Sequence, residues 1–252
     1  MNVGRRPVLG GFVASAMLGT GSKVRAAAAG KIRGVAFDAF PIFDPRAVTA
    51  LAEELFPGHG AALAAAWRTR QFDYAWLSRL AGKYQDFLTL TDAALVTTAA
   101  DLKLALSPEQ RQRLTAAYLS LKPWPDAPPV LARLKSAGLK VALLSNLTAA
   151  MLEGSVSSSG LDGVFDHVIS TDAVKSYKPD PRAYQLGIDA LALPKSAIAF
   201  VAFAGWDAFG AKSFGYPTFW NNRTGQAAES LGAPADAESP DLRPLLDFVG
   251  LA

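Results

Sequence analysis

The residues best suited to chemistry fall at four places, each close behind an apolar stretch. They are Asp38, the pair Ser145-Asn146, Lys178 and Asp207. The chain has no cysteine, and its two histidines, His59 and His167, lie far apart in the sequence. This excludes thiol nucleophiles, disulfides and iron–sulfur ligation, and it disfavours multi-histidine metal sites and most histidine-based triads. Carboxylate chemistry is therefore the main nucleophilic option, although an aspartate behind a strand also suits a helix cap or a turn.

Alternating strands and helices must position these residues. Strands are predicted at residues 31–37, 140–144, 167–170, 197–203 and 217–220, and helices at 130–137, 149–159, 181–191 and 206–214. Such alternation predicts an α/β fold with a doubly wound, Rossmann-like parallel sheet that binds ligands at the carboxyl ends of its strands. Residues 45–121 show helical periodicity with no convincing strand. We therefore expect a core domain of residues 31–44 and 122–252, interrupted by a helical cap domain at 45–121.

The first thirty residues have the composition of an export signal. They contain Arg5, Arg6, Lys23 and Arg25 but no acidic residue, with an apolar stretch at 8–20 between the basic groups. Paired arginines ahead of a short apolar region favour the twin-arginine route and a periplasmic protein. An ordinary Sec signal or an uncleaved basic leader are the alternatives. The apolar stretch is too short and too rich in glycine to span a bilayer stably.

The charge of the chain depends on this leader. The whole sequence has 25 basic and 22 acidic residues, a net charge of +3. Without the four basic residues of the leader, 21 basic groups face 22 acidic groups, and the net charge becomes −1. No basic patch then indicates nucleic-acid binding, and we expect no membrane association of the mature form. Half of the residues are hydrophobic, as expected for a globular chain.

The motifs taken together resemble the haloacid dehalogenase (HAD) superfamily, and more narrowly its L-2-haloacid dehalogenase (type II) subfamily. The resemblance covers nearly all of the chain behind the leader. It rests on 37–40 (Phe-Asp-Ala-Phe), 144–146 (Leu-Ser-Asn), 177–181 (Tyr-Lys-Pro-Asp-Pro), 205–207 (Gly-Trp-Asp), the insertion at 67–74 and 222–225 (Asn-Arg-Thr-Gly). It implies a HAD core with a helical cap, and a homodimer. It also implies cofactor-free hydrolysis of short 2-haloacids, as the L enantiomers, to 2-hydroxy acids through an aspartyl ester.

The resemblance also assigns the reacting groups. Asp38 matches the nucleophile that displaces halide, and Lys178 would keep it ionised through its opposite charge. Asp207 is retained beside Lys178 among the family's polar groups. Arg68 would close over the site from the cap and receive the halide, since arginine stays charged and offers several donors. A helix-surface arginine is the alternative for Arg68.

Further positions match the substrate pocket of the family. Ser145 and Asn146 would hold the substrate carboxylate and the halide, although alone they read as a polar turn. Phe40 suits a desolvated pocket around a small organic acid. The remaining matches, for which core packing is the alternative, are a tyrosine near the lysine and two pocket walls: Tyr184, Phe87 and Trp206.

Metal dependence separates two branches of this superfamily. Its phosphatases generally need a second aspartate two residues after the nucleophile and another acid in the fourth motif, for the leaving-group proton and for Mg²⁺. Those places hold Phe40 and Phe203 in this chain. Because an aromatic ring can neither give that proton nor bind a hard cation, we expect no Mg²⁺ phosphatase and no metal site.

Three polar groups of the type II pattern are missing. Ile42 stands where a threonine follows the nucleophile, and Ala202 and Ala204 replace a serine and an asparagine in the fourth motif. Losing a preorganised donor commonly costs about 10²–10³-fold in rate. The sequence therefore predicts an equipped first step and a compromised or rebuilt second step. Two alternatives stay open: an exported protein that binds a small carboxylate without turnover, and hydrolysis of another substrate by Asp38.

Overall fold

A single parallel sheet forms the centre of the molecule, as the strand–helix alternation predicts. The computed structural model describes residues 31–251, so the predicted export signal lies outside the described residues. The strand order is β3-β2-β1-β4-β5-β6, and every neighbouring pair is parallel. The strands are β1 (Gly34–Phe37), β2 (Lys140–Ser145), β3 (His167–Ser170), β4 (Ile198–Ala202), β5 (Thr218–Asn221) and β6 (Ala237–Ser239).

The four central strands, β1, β2, β4 and β5, are buried on both faces apart from Lys140, which is why they read as continuous hydrophobic runs. In β4, Ala199 and Val201 belong to one apolar cluster, while Ile198, Phe200 and Ala202 belong to the cluster on the opposite face. This alternation follows from the two-residue period of a strand. The sheet is therefore covered on both sides, and the expected doubly wound α/β fold is confirmed.

Helices provide both the covering layers and the insertion. The helices are α1 (Ala39–Ile42), α2 (Arg46–Leu55), α3 (Gly60–Leu80), α4 (Phe87–Asp101), α5 (Pro108–Ala116), α6 (Ala127–Ser136), α7 (Ala149–Ser158), α8 (Pro181–Leu191), α9 (Gly205–Phe214) and α10 (Leu245–Phe248), with short 3₁₀ turns at Ala117–Leu119, Thr171–Val174 and Lys195–Ala197. Between β1 and β2, the elements longer than one turn are α2 to α6, of which α2 to α5 fall within the insertion predicted at 45–121. Within residues 31–251, no helix combines the length and the apolar character needed to cross a membrane.

Local sequence explains where the helices of the insertion begin. Ser107 caps α5, because its hydroxyl accepts from the Gln110 amide while the Gln110 side chain accepts from the Ser107 amide. Such a capping box satisfies two amide groups that would otherwise be unpaired at a helix start. Asp86 caps α4 in a similar way by accepting from Thr89. These caps fix the connections that place α3 and α4 above the sheet.

The sequence pattern misses one strand. It predicts residues 217–220 as the last strand, whereas the structure adds β6 beside β5. Strand β6 has three residues, of which Glu238 is exposed and only Ala237 is a strong apolar signal. A segment this short gives too little periodicity to be recognised.

The order of the strands reverses at β1, since β2 and β4 lie on its two sides. In parallel sheets such a reversal opens a crevice at the carboxyl ends of the strands. Asp38 directly follows β1, Ser145 ends β2, and Asp207 lies in the first turn of α9 behind β4. The fold therefore gathers these groups at one edge.

Candidate active site

Asp38 lies at the switch point, where β1 gives way to the short helix α1. Its amide donates to the carbonyl of Val201 on β4 (2.9 Å), which holds its backbone between two central strands. Its side chain caps α1, because the Phe40 amide donates to Oδ2 (3.2 Å). The carboxylate is 11% exposed. The helix-cap role weighed for Asp38 is thus real, and it orients a nearly dehydrated carboxylate.

Lys178 joins two carboxylates. Its ammonium donates to Oδ1 of Asp38 (2.8 Å) and to Oδ2 of Asp207 (2.6 Å), and its side chain is fully buried. Burial alone would lower the pKa of Lys178, but the charges of Asp207 and Asp38 outweigh it and raise that pKa above its usual value. The lysine therefore stays positively charged and places its charge directly against both carboxylates.

Asp207 forms the far end of this buried cluster. It is 1% exposed and accepts a second hydrogen bond from the Tyr184 hydroxyl at Oδ1 (2.7 Å). Burial, helped by the negative charge of Asp38, raises the pKa of Asp207 to about 6 despite the opposing effect of Lys178. A carboxylate with such a pKa is a suitable proton acceptor near neutral pH.

Tyr184 lies one layer further from the pocket than the resemblance implies. It is fully buried, contacts Asp207 and packs against Phe200 and Phe214, and it is not among the residues that line the cavity. Its hydroxyl supports Asp207 without facing a ligand. Spacing along the chain cannot distinguish a tyrosine that faces the pocket from one that supports Asp207, because both would lie close to Lys178.

Ser145, the last residue of β2, and Asn146, which follows it, lie beside the cluster. The Ser145 hydroxyl donates to Oδ1 of Asp38 (3.0 Å), the same oxygen that receives Lys178. The side-chain oxygen of Asn146 accepts from Thr171 (3.2 Å) and from the backbone amide of Lys178 (2.8 Å). Its buried Nδ2 has no partner among the described residues, although Asn146 lines the pocket. An unpaired buried donor at this place is available to an anionic ligand.

Arg68 reaches the pocket from α3 of the insertion. Its guanidinium lies 5.0 Å from the ring centre of Phe203 and 5.8 Å from that of Phe40. No carboxylate in residues 31–251 lies within ion-pair distance of it. Burial lowers the pKa of Arg68, while Tyr118 and Asp38 act in the opposite direction. A half-buried cation with no counter-ion among the described residues attracts a small anion to this place.

Aromatic rings line most of the remaining pocket. Phe40, Phe87 and Trp206 line it as the sequence predicts, and the Trp206 ring packs 5.1 Å from Phe72. The cavity that is left has a volume of about 10 Å³, which is room for roughly one water molecule. Four lining residues were not among the predicted site residues: Phe72, Leu147, Phe203 and Ala204. For Phe72 and Leu147, adjacency to the quoted motifs was the available signal.

The three departures from the type II pattern lie close around the cluster. Ile42 and Ala202 are fully buried among apolar neighbours. Ala204 lines the pocket and stands at the cap position of α9, where no side chain bonds to the free amides. Ser145 and Lys178 remain as side-chain donors to Asp38, together with the amide of Phe40.

The insertion is tied to the loop that carries the lysine. The indole of Trp76 on α3 donates to the carbonyl of Lys178 (3.0 Å). Nearby, Arg79 donates to Ser176 (3.2 Å), and the Tyr177 hydroxyl donates to the carbonyl of Gln85. The helices above the sheet and the catalytic edge below them thus share several hydrogen bonds.

The arrangement agrees with what is found in known proteins. Residues 42–215 match the model of the haloacid dehalogenase-like hydrolases. The chain belongs to this family. The resemblance seen in the motifs is therefore confirmed, and the haloacid dehalogenase-like chain can be compared with individual relatives.

Two curated relatives match nearly their whole length. The (S)-2-haloacid dehalogenase of Pseudomonas sp. (strain YL) is 43% identical over 218 residues, which cover 86% of this chain and 94% of that protein. The haloacetate dehalogenase H-2 of Moraxella sp. (strain B) is 37% identical over 222 residues, which cover 88% and 99%. The two relatives are named for different acids, one for (S)-2-haloacid and the other for haloacetate.

A solved structure is similar across the same region. The L-2-haloacid dehalogenase from Xanthobacter autotrophicus, solved with chloropropionic acid covalently bound, matches with a TM-score of 0.81 and 33% identity. The match covers 88% of this chain and all of that one. A covalent complex in a relative of the same fold is consistent with a carboxylate nucleophile at the switch point of this sheet.

Proposed function

We propose that the protein is a hydrolase acting on carbon–halide bonds, which converts short 2-haloacids to 2-hydroxy acids through an ester of Asp38. One observation carries this proposal. A nearly dehydrated Asp38 carboxylate, paired with Lys178, faces the same pocket as Arg68, a guanidinium with no counter-ion among residues 31–251. A nucleophile and an anion acceptor in a small dry cavity suit displacement of halide from a carboxylic acid.

In the first step, Oδ2 of Asp38 attacks the carbon that bears the halogen. Oδ1 already accepts from Lys178 and Ser145, whereas the Phe40 amide is the one donor to Oδ2 among residues 31–251, so Oδ2 keeps a free electron pair. The new bond joins Oδ2 to carbon, and the carbon–halogen electron pair leaves with the halide. Arg68 and the unpaired Nδ2 of Asn146 are the donors that receive the two anionic groups, the substrate carboxylate and the halide.

In the second step, water attacks the carbonyl carbon of the ester. Oδ1 is now the carbonyl oxygen, and the donors that already contact it, Lys178 and Ser145, stabilise the charge that develops there. Asp207 takes the proton of the water, since its pKa of about 6 leaves it ionised at neutral pH. Collapse of the intermediate breaks the bond to Oδ2 and releases the 2-hydroxy acid as its alkoxide, which takes the proton of the new Asp38 carboxyl group. Asp38 returns as a carboxylate, and the proton held by Asp207 passes to solvent.

This geometry bears on the alternative of a binder without turnover. The replacement of polar groups by Ile42, Ala202 and Ala204 removes donors, but both hydrogen bonds to Oδ1 remain. The second step thus relies on fewer polar groups, and the two hydrogen bonds that remain at Oδ1 favour turnover over binding alone. We expect hydrolysis of the ester to be slower than its formation, so that alkylated Asp38 accumulates during turnover.

The proposal is tested by halide release from 2-haloacids in the presence of a metal chelator. The mature protein should release halide, and Asp38→Asn, which keeps the size of the side chain, should not. Intact mass after mixing with substrate should show an adduct equal to the acid without its halogen. Absence of halide release and of an adduct across chloro- and bromoacids would refute the proposal.

We also propose that the protein is exported to the periplasm by the twin-arginine route. The support is the sequence of residues 1–30, with Arg5-Arg6 ahead of an apolar stretch and no acidic residue. Cell fractionation of the full chain should place the shortened protein in the periplasm, and Arg5→Lys with Arg6→Lys should retain it inside. Unchanged export of the double variant would leave the Sec route as the explanation.

A homodimer is the third element of the proposal. Its support is an apolar surface beside the pocket, where Leu77, Leu80 and Leu231 are each more than half exposed. A groove of about 570 Å³ runs between Leu80, Phe209 and Leu231. Light scattering should give twice the chain mass, and Leu80→Arg should halve it; a monomeric wild type would refute the dimer.

A further inference from the structure

Two cavities share two lining side chains. The pocket at Asp38 holds about 10 Å³, and a second cavity of about 160 Å³ lies beside it. Phe203 and Arg68 line both cavities. Phe203 is 4% exposed, and its ring lies 5.8 Å from that of Phe40. The phenyl ring of Phe203 is therefore part of a partition between the reacting group and open space.

The small pocket has little freedom to expand on its other sides. Phe72 packs against Phe87 (5.6 Å) and Trp206 (5.1 Å), and Trp206 in turn meets Trp76 edge-on (5.3 Å). Moving one of these rings disturbs its neighbours, because they are packed against one another. The pocket is too small for any 2-haloacid unless a side chain moves, and Arg68, which has no ion pair among residues 31–251, is the lining group least held by its neighbours. A third carbon, bonded to the reacting carbon in addition to the carboxyl carbon, would require an aromatic ring to move as well.

We propose that Phe203 acts as a size filter that restricts the site to haloacetates, the 2-haloacids with two carbons. This inference rests on the proposed dehalogenase function and names its substrate class. One methylene group that does not fit a pocket changes specificity about 10–200-fold. Chloroacetate should therefore be preferred over 2-chloropropionate by about that factor, and over 2-chlorobutyrate by more.

The second cavity indicates what removal of the ring would do. Its far wall contains Trp124, which is held between the guanidinium groups of Arg46 and Arg223, each 4.4 Å from the ring centre. Arg223 is itself fixed by Asp126 (2.9 Å) and by the carbonyl of Pro41 (2.9 Å). A wall held in this way stays in place when Phe203 is shortened. Phe203→Ala should join the two cavities and admit the longer acids.

The test compares kcat/KM for chloroacetate, 2-chloropropionate and 2-chlorobutyrate, measured by chloride release. Phe203→Ala should lower the preference of the wild type for chloroacetate at least tenfold, and Phe203→Leu should give an intermediate value. Phe248→Ala is the matched control, because it truncates a buried phenylalanine in α10, which packs on Phe219 and does not line the pocket. Its preference should equal that of the wild type.

Equal turnover of the three acids by the wild type would overturn the filter, as would an unchanged preference in folded Phe203→Ala. A second measurement needs no turnover. Acetate should raise the melting temperature of the wild type while butyrate should not, and Phe203→Ala should respond to both. Chain-length discrimination in binding, combined with no chloride from any acid, would refute the dehalogenase function and leave the filter standing. Absence of both the chain-length discrimination in binding and the chloride release would refute the filter and the dehalogenase function together.

Discussion

Replacing Lys178 with methionine tests how the buried cluster is held together. Methionine keeps most of the volume of the side chain and removes its charge. Lys178 is fully buried and donates to two carboxylates, at 2.8 Å to Asp38 and 2.6 Å to Asp207. Removing one partner of a buried ion pair costs about 3–5 kcal/mol, because the other charge is left without compensation. For a chain of this size, we expect the melting temperature to fall by about 6–20 °C.

The loss should depend on pH, and its sign follows from Asp207. Its pKa in the folded protein is about 6 even beside Lys178, above the usual value for aspartate. Without the lysine, that pKa rises further, because two neighbouring carboxylates then repel each other. The folded state of the variant therefore binds a proton that the unfolded state releases, and its stability increases as the pH falls. The deficit in melting temperature should be large at pH 8 and smaller at pH 5.

Calorimetry at the two pH values measures this directly, with Lys135→Met as the matched control. Lys135 pairs with Asp166 at the surface (2.6 Å), and such pairs contribute at most about 1 kcal/mol. Intact mass after mixing with chloroacetate should show no alkylation of Lys178→Met at pH 8. A deficit no larger than that of Lys135→Met, or one that does not shrink towards pH 5, would refute the proposed role of the lysine.

Three more predictions follow from single contacts around the pocket. Hydrolysis of the ester should slow about tenfold per pH unit below the pKa of Asp207, near 6. Tyr184→Phe removes a donor to that carboxylate and so raises its pKa, which should move this limb of the pH–rate profile to higher pH. Ala204→Asn should supply the missing cap of α9 and raise the unfolding free energy by about 0.5–2 kcal/mol; quenched-flow mass measurements should also show a shorter-lived ester. Arg68→Met should reduce kcat/KM for chloroacetate about 100-fold without lowering the melting temperature, since the arginine has no counter-ion; a large fall in melting temperature would instead mark it as structural.

Much of the fold can be predicted from the sequence, because the strands that contribute to both apolar clusters are continuous hydrophobic runs. The strand at 167–170 and the helix at 181–191 have the predicted bounds. Strand β6 was missed because three residues at a sheet edge carry little pattern. Sequence order also placed Asp38 and Asp207 correctly, since strand ends meet at one edge of a parallel sheet.

The orientations of side chains at that edge could not be predicted. Ser145 lines the pocket, where the sequence places it beside the substrate, but the donation of its hydroxyl to Asp38 has no signal in the sequence. Tyr184 was expected at the substrate, and it contacts Asp207 from behind. Phe203 was noticed as a missing acid, yet its role as a wall depends on the ring of Phe40 and on the cavity behind it. Such choices follow from packing between distant segments, which no local pattern records.

The hydrogen bond from Trp76 to the carbonyl of Lys178 connects the position of α3 with the position of the lysine. The indole belongs to α3, which also carries Arg68, and the carbonyl belongs to the residue that pairs with Asp38. The position of α3 and the position of the lysine are therefore thermodynamically linked. By reciprocity, an anion that binds Arg68 and favours this position of α3 strengthens the pairing of Asp38 by the same free energy with which that pairing favours anion binding. The nucleophile should then be most fully prepared when an anion contacts Arg68.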